Sequence, residues 1–221
     1  MLLNPVRSRT LVALCVGALV TAACGDDGDD TAKASKTVVI GSAPFAESVI
    51  VANMYAGALQ NEGYQVVVRK GLGQREIYMP ALEKGGADNG IDLVPEYVGT
   101  LLEFVNKNAG EASGNLDESV TKLRARLDPL GLTALEPSPA ADQNAFAVTR
   151  ATADRLRLKK LSDITPQVAL TLTLGAGAEC PTRPFCQPGL ERTYGLKFKT
   201  LRVLDSGGPR TMEALAKGDI D

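Results

Sequence analysis

The chain contains no histidine, which removes the commonest proton carrier from any catalytic site it could form. A Ser-His-Asp or Cys-His arrangement needs an imidazole as its base, so both are excluded. Two carboxylates, for example Glu47 and Glu76, could still act as general acid and base. Nothing in the sequence around either glutamate poises it for proton transfer. We therefore predict no catalytic residue and no enzymatic activity.

Four cysteines are the other reactive side chains. Cys180 and Cys186 lie in ECPTRPFC, a short segment with two prolines. Outside the cytoplasm, two thiols this close together are expected to form a disulfide. Zinc is the alternative, but a structural zinc site needs four Cys or His ligands, and only these two remain once the leader is set aside. We predict a disulfide, no metal site and no cofactor.

Cys15 and Cys24 belong to an N-terminal leader with the layout of an export signal. Two arginines precede the apolar run LVALCVGALV at 11–20, and small residues then lead to Cys24. The run is short for a bilayer span, which takes about 20 apolar residues, but it suits a cleaved signal. A cysteine directly after small residues resembles the bacterial lipoprotein signal, in which the thiol is lipidated and becomes the new N terminus. Plain secretion and an uncleaved anchor are the alternatives.

The next segment, GDDGDDTAKASK at 25–36, is polar and cannot bury enough surface to fold. We interpret it, together with Cys24, as a flexible tether between a lipid anchor and a folded region. Its aspartates could instead bind calcium, but the fixed ligand spacing of a calcium loop is not visible. The sequence thus predicts a signal peptide at 1–23, a tether at 24–36, and attachment to the extracytoplasmic face of the cell membrane.

From Thr37 onward, β-rich runs alternate with helical patterns. Strands are predicted at 37–41, 64–69, 91–94, 145–149, 168–174 and 198–204. Helices are predicted at 47–61, 74–84, 97–106, 116–127, 151–158, 188–194 and 209–217. Alternation of this kind indicates an α/β fold with mostly parallel sheets flanked by helices.

Two stretches of the sequence resemble one another. ALEKG at 81–85 precedes GID at 90–92, and ALAKG at 214–218 precedes DID at 219–221. Both are typical of a helix, a glycine stop and the start of a strand. Two lobes of similar construction, at 37–141 and 142–221, would explain the repeat; coincidence between short strings is the alternative. Since the second copy ends as its strand begins, we expect the chain to be a fragment with an incomplete second lobe.

Six segments in order resemble the substrate-binding proteins of ABC importers for glycine betaine and related osmoprotectants. They are GSAPFAES at 41–48, GLGQREIYMPAL at 71–82, GIDLVPEYVGT at 90–100, SPAADQNAFAVT at 138–149, ECPTRPFCQPGLERTYGL at 179–196 and LDSGGPRTMEALAKGDID at 204–221. The resemblance implies a two-lobed, type II periplasmic-binding-protein fold that closes on its ligand. It also implies a permease and an ATPase in the membrane as partners.

In this family an aromatic cage holds the cationic end of the ligand, because a quaternary ammonium has no N–H to donate. By the resemblance, Tyr97 corresponds to a cage tyrosine and Thr100 to a ligand-contacting hydroxyl. Asp142 corresponds to a polar residue of the crossover, and Arg183 to the arginine that binds the ligand carboxylate. Asn144 falls where betaine binders have a second tyrosine, which would suit a ligand with an N–H or a hydroxyl.

Each of these residues also has a structural interpretation. Tyr97 could be a core aromatic, Thr100 could bond within its own helix, and Asp142 could cap a turn. Arg183 could lie on the surface of the cysteine loop. The whole chain could also be a ligand-sensing or scaffolding lipoprotein without a transporter. A net charge of −2 with no basic stripe argues against nucleic acid as a partner.

Overall fold

The computed structural model of the protein describes residues 37–221 and the backbone of residues 2–3. Apart from that backbone, the predicted signal peptide and the tether with Cys24 lie outside the described residues. Within the described part, no helix combines the length and apolar character that crossing a bilayer requires. Strands and helices alternate along the chain, as predicted.

Seven strands, eight α-helices and four short 3-10 helices lie in the described part. The strands are β1 Leu2–Leu3, β2 Thr37–Gly41, β3 Gln65–Arg69, β4 Leu93–Val94, β5 Thr133–Ala134, β6 Thr173–Ala176 and β7 Thr200–Val203. The helices are α1 Ala46–Asn61, α2 Arg75–Lys84, α3 Val98–Val105, α4 Leu116–Leu127, α5 Arg150–Leu156, α6 Pro166–Ala169, α7 Gln187–Tyr194 and α8 Pro209–Lys217.

The strands form two sheets, one in each half of the described chain. The first has the order β3-β2-β4-β1-β5. In it β2 pairs in parallel with β3 along its whole length and with β4 at Ile40, whereas β1 is antiparallel to both β4 and β5. The second sheet consists of β6 and β7, which are parallel. The predicted α/β class with mostly parallel pairing is confirmed.

Strand β2 has a strand on each side, β3 and β4, and apolar residues on both of its faces. Successive side chains of a strand point to opposite faces. Ile40 packs with Ala52 of α1 in one buried cluster. Val39 belongs to another, together with Leu101 of α3 and Leu123 of α4. Helices therefore cover both faces of the first sheet, as parallel pairing requires.

The second half has a core of its own. Leu172, Leu190 and Leu196 are buried there, with Ile164 and Ala169 beside them. Two separate cores fit the two-lobed fold, since each lobe must bury its own apolar faces. The lobe boundary at 141 and 142 stays a prediction.

Two segments differ from the sequence prediction. The predicted strand at 145–149 is irregular and mostly exposed, because no strand of the described chain lies beside it to accept its hydrogen bonds. The predicted strand at 168–174 begins instead as helix α6. Thr165 caps that helix by accepting a hydrogen bond from the Val168 N–H, and Pro166 occupies its first turn, where a missing N–H is tolerated. Strand β6 starts only after this helix.

The two copies of the repeated sequence adopt the same hydrogen-bonded arrangement. The Asp92 N–H donates to the Val39 carbonyl at 2.7 Å, and the Val39 N–H donates back to Oδ2 of Asp92 at 2.8 Å. The Asp221 N–H donates to the Thr173 carbonyl at 3.1 Å, and the Thr173 N–H donates to Oδ2 of Asp221 at 2.9 Å. In each half an aspartate thus ties the segment after a helix to a strand, which supports a structural repeat.

Replacing Asp92 by Ala should lower the free energy of unfolding by about 2–4 kcal/mol, because each carboxylate oxygen accepts a backbone N–H. The second of these bonds comes from Gly86, at 2.8 Å. Urea unfolding followed by circular dichroism measures the loss. Asp88→Ala, in the same connection and with an exposed side chain, is the control and should change the value by less than about 0.5 kcal/mol. Equal losses in the two variants would contradict the tying role of Asp92.

Candidate functional site

A cavity of about 1440 Å³ lies where the two halves of the described chain meet. Helix α1, the start of α3 and part of α4 form one wall, and the cysteine loop and α7 form the other. The segment that crosses between the halves, at 135–144, also lines the cavity. Typical small-molecule pockets measure about 300–1000 Å³. The cavity is therefore larger than a typical small ligand would fill.

Four of the five predicted ligand-binding residues line this cavity: Tyr97, Thr100, Asp142 and Asn144. Tyr97 precedes α3 and Thr100 lies in its first turn, directly after β4. A position just beyond the carboxyl end of a parallel strand is the usual place for a site in open α/β sheets. The other two residues belong to the crossing segment. Arg183, the fifth predicted residue, is not among the cavity-lining residues.

Tyr97 is held by contacts on both its hydroxyl and its ring. The hydroxyl donates to Oε1 of Glu47 at 2.5 Å, and the ring lies tilted against Phe45 with 6.2 Å between centroids. Burial, the hydrogen bond to Glu47, and the negative charges of Glu47, Asp142 and Glu96 raise the pKa of Tyr97. The phenol therefore stays neutral, with a ring available to a cation on the cavity side.

A buried ion pair between Arg75 and Glu96 fixes the backbone at Tyr97. Nε and Nη2 of Arg75 each lie 2.8 Å from an oxygen of Glu96, and the Tyr78 hydroxyl donates to the same carboxylate at 2.5 Å. The Tyr97 N–H donates to Oε2 of Glu96 at 2.8 Å. Nη2 of Arg75 also donates to Oγ1 of Thr100 at 2.7 Å. Because Thr100 accepts in this bond, its own hydroxyl proton can be donated to a ligand oxygen.

Both partners of the pair are almost inaccessible, with 12% of the Arg75 side chain and 3% of the Glu96 side chain exposed. Burial alone would lower the pKa of Arg75, but the adjacent Glu96 carboxylate outweighs it and the pKa rises above its ordinary value. Burial and the same carboxylate raise the pKa of Tyr78, which stays a neutral donor. The guanidinium is therefore charged at any physiological pH and depends on Glu96 for compensation.

Arg183 points to the first half of the chain. Its Nη2 donates to Oε2 of Glu76 at 3.0 Å, and its guanidinium carbon lies 5.4 Å from the centroid of the Phe104 ring. The loop that carries it is closed by the predicted Cys180–Cys186 disulfide, which the structure contains. Burial would raise the pKa of Glu76, but the hydrogen bond from Arg183 and its charge lower it. Arg183 therefore joins the two halves through an ion pair.

One further hydrogen bond crosses between the halves, and another joins the crossing segment to the cysteine loop. The side-chain amide of Gln74 donates to Oε2 of Glu179 at 3.3 Å, and that of Asn144 donates to the Phe185 carbonyl at 3.3 Å. The predicted ligand residue Asn144 is therefore already engaged by the cysteine loop. Within residues 37–221, no three acidic or cysteine side chains are grouped so that they could hold a metal ion.

Sequence reasoning missed Glu96 and misjudged Glu47. Glu96 lies two residues after the buried strand β4, and a carboxylate next to a buried strand needs a partner. The need for a partner could have singled out Glu96 in the sequence, although no pattern among neighbouring residues identified Arg75 as that partner. Glu47 was considered only as a catalytic acid or base, and its contact with Tyr97 joins residues 50 positions apart. No pattern among neighbouring residues in the sequence predicts such a contact.

Replacing Glu96 by Gln should lower the free energy of unfolding by about 3–5 kcal/mol, because Arg75 would stay buried without its compensating charge. Urea or thermal unfolding measures the effect. The exposed pair of Arg124 and Glu136, at 2.7 Å with side chains 40% and 86% exposed, offers a matched control. Glu136→Gln should change the same quantity by less than about 1 kcal/mol. If Glu96→Gln is no more destabilising than the control, the pair does not have this supporting role.

Two solved structures resemble this fold. A structure described as a glycine betaine/carnitine/choline ABC transporter superposes with a TM-score of 0.53 at 20% identity, over 85% of this chain and 66% of that one. Apo YehZ from Escherichia coli superposes with a TM-score of 0.51 at 27% identity, over 82% of this chain and 65% of that one. These likenesses agree with the two-lobed architecture described above.

Sequence comparison gives the same assignment. A glycine-betaine-binding protein from Pseudomonas aeruginosa is 28% identical over 186 residues, which cover 78% of this chain and 57% of that protein. The chain thus spans less than two thirds of the length of this relative. Residues 36–221 match the family OpuAC, described as the substrate binding domain of ABC-type glycine betaine transport systems. Because this match includes all of residues 37–221, the chain belongs to the OpuAC family of substrate-binding domains.

Proposed function

We propose that this protein is the solute-binding component of an ABC importer and that it binds glycine betaine or a related quaternary amine. The observation that carries the proposal is the position of Tyr97. It belongs to the segment GIDLVPEYVGT, which resembles the family motif, and it lines a cavity between two separately folded halves. Family membership and the ligands named for its relatives support the ligand class. The protein has no catalytic role in this proposal.

The cationic end of the ligand binds at the Tyr97 ring in this proposal. A quaternary ammonium can gain about 0.5–2 kcal/mol from each aromatic face that it contacts. Phe146 and Phe185 also line the cavity, with about 40% of each exposed. They could complete a cage if the halves approach. Thr100 and Asp142 supply polar contacts in this arrangement.

Arg183 stays the predicted partner of a ligand carboxylate. To serve that purpose it would have to release Glu76, whose Oε2 lies 3.0 Å from the guanidinium. Exchange of one carboxylate for another is chemically straightforward, since both can accept the same guanidinium N–H groups. Asn144 would similarly have to exchange the Phe185 carbonyl for a ligand acceptor.

We extend the proposal to the location and partners of the protein. Lipid attached to Cys24 would hold the domain on the extracytoplasmic face of the membrane, beside a permease and its ATPase. Support comes from the leader sequence and from the transport role of the family. Two acyl chains on one cysteine suffice for stable anchoring, whereas one chain binds reversibly.

Calorimetry on the mature, full-length protein should detect binding of betaine, choline or carnitine, with proline as a ligand that lacks a quaternary ammonium. Tyr97→Ala should weaken the dissociation constant of the quaternary ligands by about 2- to 30-fold, because one aromatic face is lost. Tyr97→Phe keeps the face and should lose less. Tyr64→Ala, an exposed tyrosine outside the cavity, is the control. No response to any quaternary amine would refute the proposed function.

Replacing Cys24 by Ser should release the protein from the membrane, because the thiol that receives the lipid is removed. Labelling cells with a fatty acid and separating membrane from soluble fractions measures both lipid transfer and location. Cys15→Ser is the matched control, since that cysteine lies inside the predicted signal peptide. Retention of label and membrane association by Cys24→Ser would argue for an uncleaved anchor instead.

A further inference from the structure

The cavity has an uneven charge balance. Among the described residues, the charged side chains on its wall are those of Glu47, Glu96, Glu136, Asp142 and Arg192. Glu96 pairs with Arg75 and Glu136 with Arg124, so these two carboxylates are compensated from outside the cavity. Within residues 37–221, Glu47 and Asp142 have no basic side chain at ion-pair distance. Two uncompensated carboxylates thus face one guanidinium.

One of the two uncompensated carboxylates, that of Glu47, contacts the tyrosine that would hold a cation. Oε1 of Glu47 accepts the Tyr97 hydroxyl at 2.5 Å, which places the carboxylate at the edge of that ring. Only one of its oxygens is used in this bond. Both Glu47 and Asp142 act electrostatically on the Tyr97 phenol. A cation on the ring face would therefore also feel their negative charge.

Arg183, the basic residue predicted to bind a ligand carboxylate, is not part of the cavity wall. Arg183 would be the natural partner for a carboxylate, but it pairs with Glu76 and lies against the Phe104 ring. Arg192, the remaining basic residue of the wall, is exposed in the last turn of α7, on the other side of the cavity. A zwitterionic ligand would place its carboxylate in surroundings of like charge unless Arg183 changed partner.

We infer that Glu47 is a specificity-determining residue, which makes the site prefer a quaternary ammonium with net positive charge over a zwitterion. The inference rests on the proposed function and narrows its ligand to the class of quaternary ammonium alcohols. In such a ligand a hydroxyl replaces the carboxylate. Thr100 can donate a hydrogen bond to that hydroxyl. No basic side chain has to be released for this ligand to bind.

The test compares choline and glycine betaine as ligands of the full-length mature protein, by calorimetry, in the wild type and in Glu47→Gln. The amide keeps an acceptor for Tyr97 but removes the charge. We expect the wild type to bind choline more tightly than betaine. Glu47→Gln should weaken choline binding by about 10-fold and betaine binding by less than about 3-fold. Raising the salt concentration should weaken choline binding more in the wild type than in the variant.

Glu62→Gln removes an exposed carboxylate just after the end of α1, outside the cavity, and should change neither affinity. Equal weakening of both ligands by Glu47→Gln, or tighter binding of betaine than of choline by the wild type, would overturn the inference and leave the proposed function in place. Failure of the wild type to bind either ligand would overturn the inference, and failure to bind carnitine as well would overturn the proposed function too. A selective loss of choline binding supports both.

Discussion

The buried ion pair between Arg75 and Glu96 positions the candidate ligand residues Tyr97 and Thr100. Two parallel N–H···O bonds give it a defined geometry, and burial makes any departure from that geometry costly. The same carboxylate accepts the Tyr97 N–H, and the same guanidinium donates to Thr100. The start of α3 is therefore positioned by side chains of α2 and of the segment after β4. The position of Tyr97 at the cavity wall therefore depends on this buried ion pair.

The second constraint on the site is how the halves meet. Each half has its own buried core, and the side-chain contacts between them include the Arg183–Glu76 ion pair and the hydrogen bond from Gln74 to Glu179. Polar contacts of this kind can be exchanged with solvent or with a ligand, whereas a shared apolar core could not open. Two separate cores joined by exchangeable polar contacts suit the proposed function, in which the protein closes on a solute and releases it.

Much of the local structure could be predicted because its causes are local. Helix α4 and helix α8 have the predicted bounds, set by an apolar period together with caps and glycine stops. The repeated Asp-containing segments could be recognised in the sequence because the same hydrogen bonds need an aspartate at the same position in each half. The strand predicted at 145–149 was wrong, since β-branched and aromatic residues favour a strand only where another strand accepts the pairing.

The sequence by itself determined the α/β class, most of the helices, the disulfide, and the motif that carries Tyr97. Each of these follows from residue types within a few positions of one another. Only the tertiary structure decided that Glu47 meets the Tyr97 hydroxyl and that Arg183 pairs with Glu76. These partners lie far apart in sequence. The packing of α1 beside the start of α3 brings Glu47 to Tyr97, and the packing of the cysteine loop against the first half brings Arg183 to Glu76. The charge balance around the ring is therefore a property of the fold.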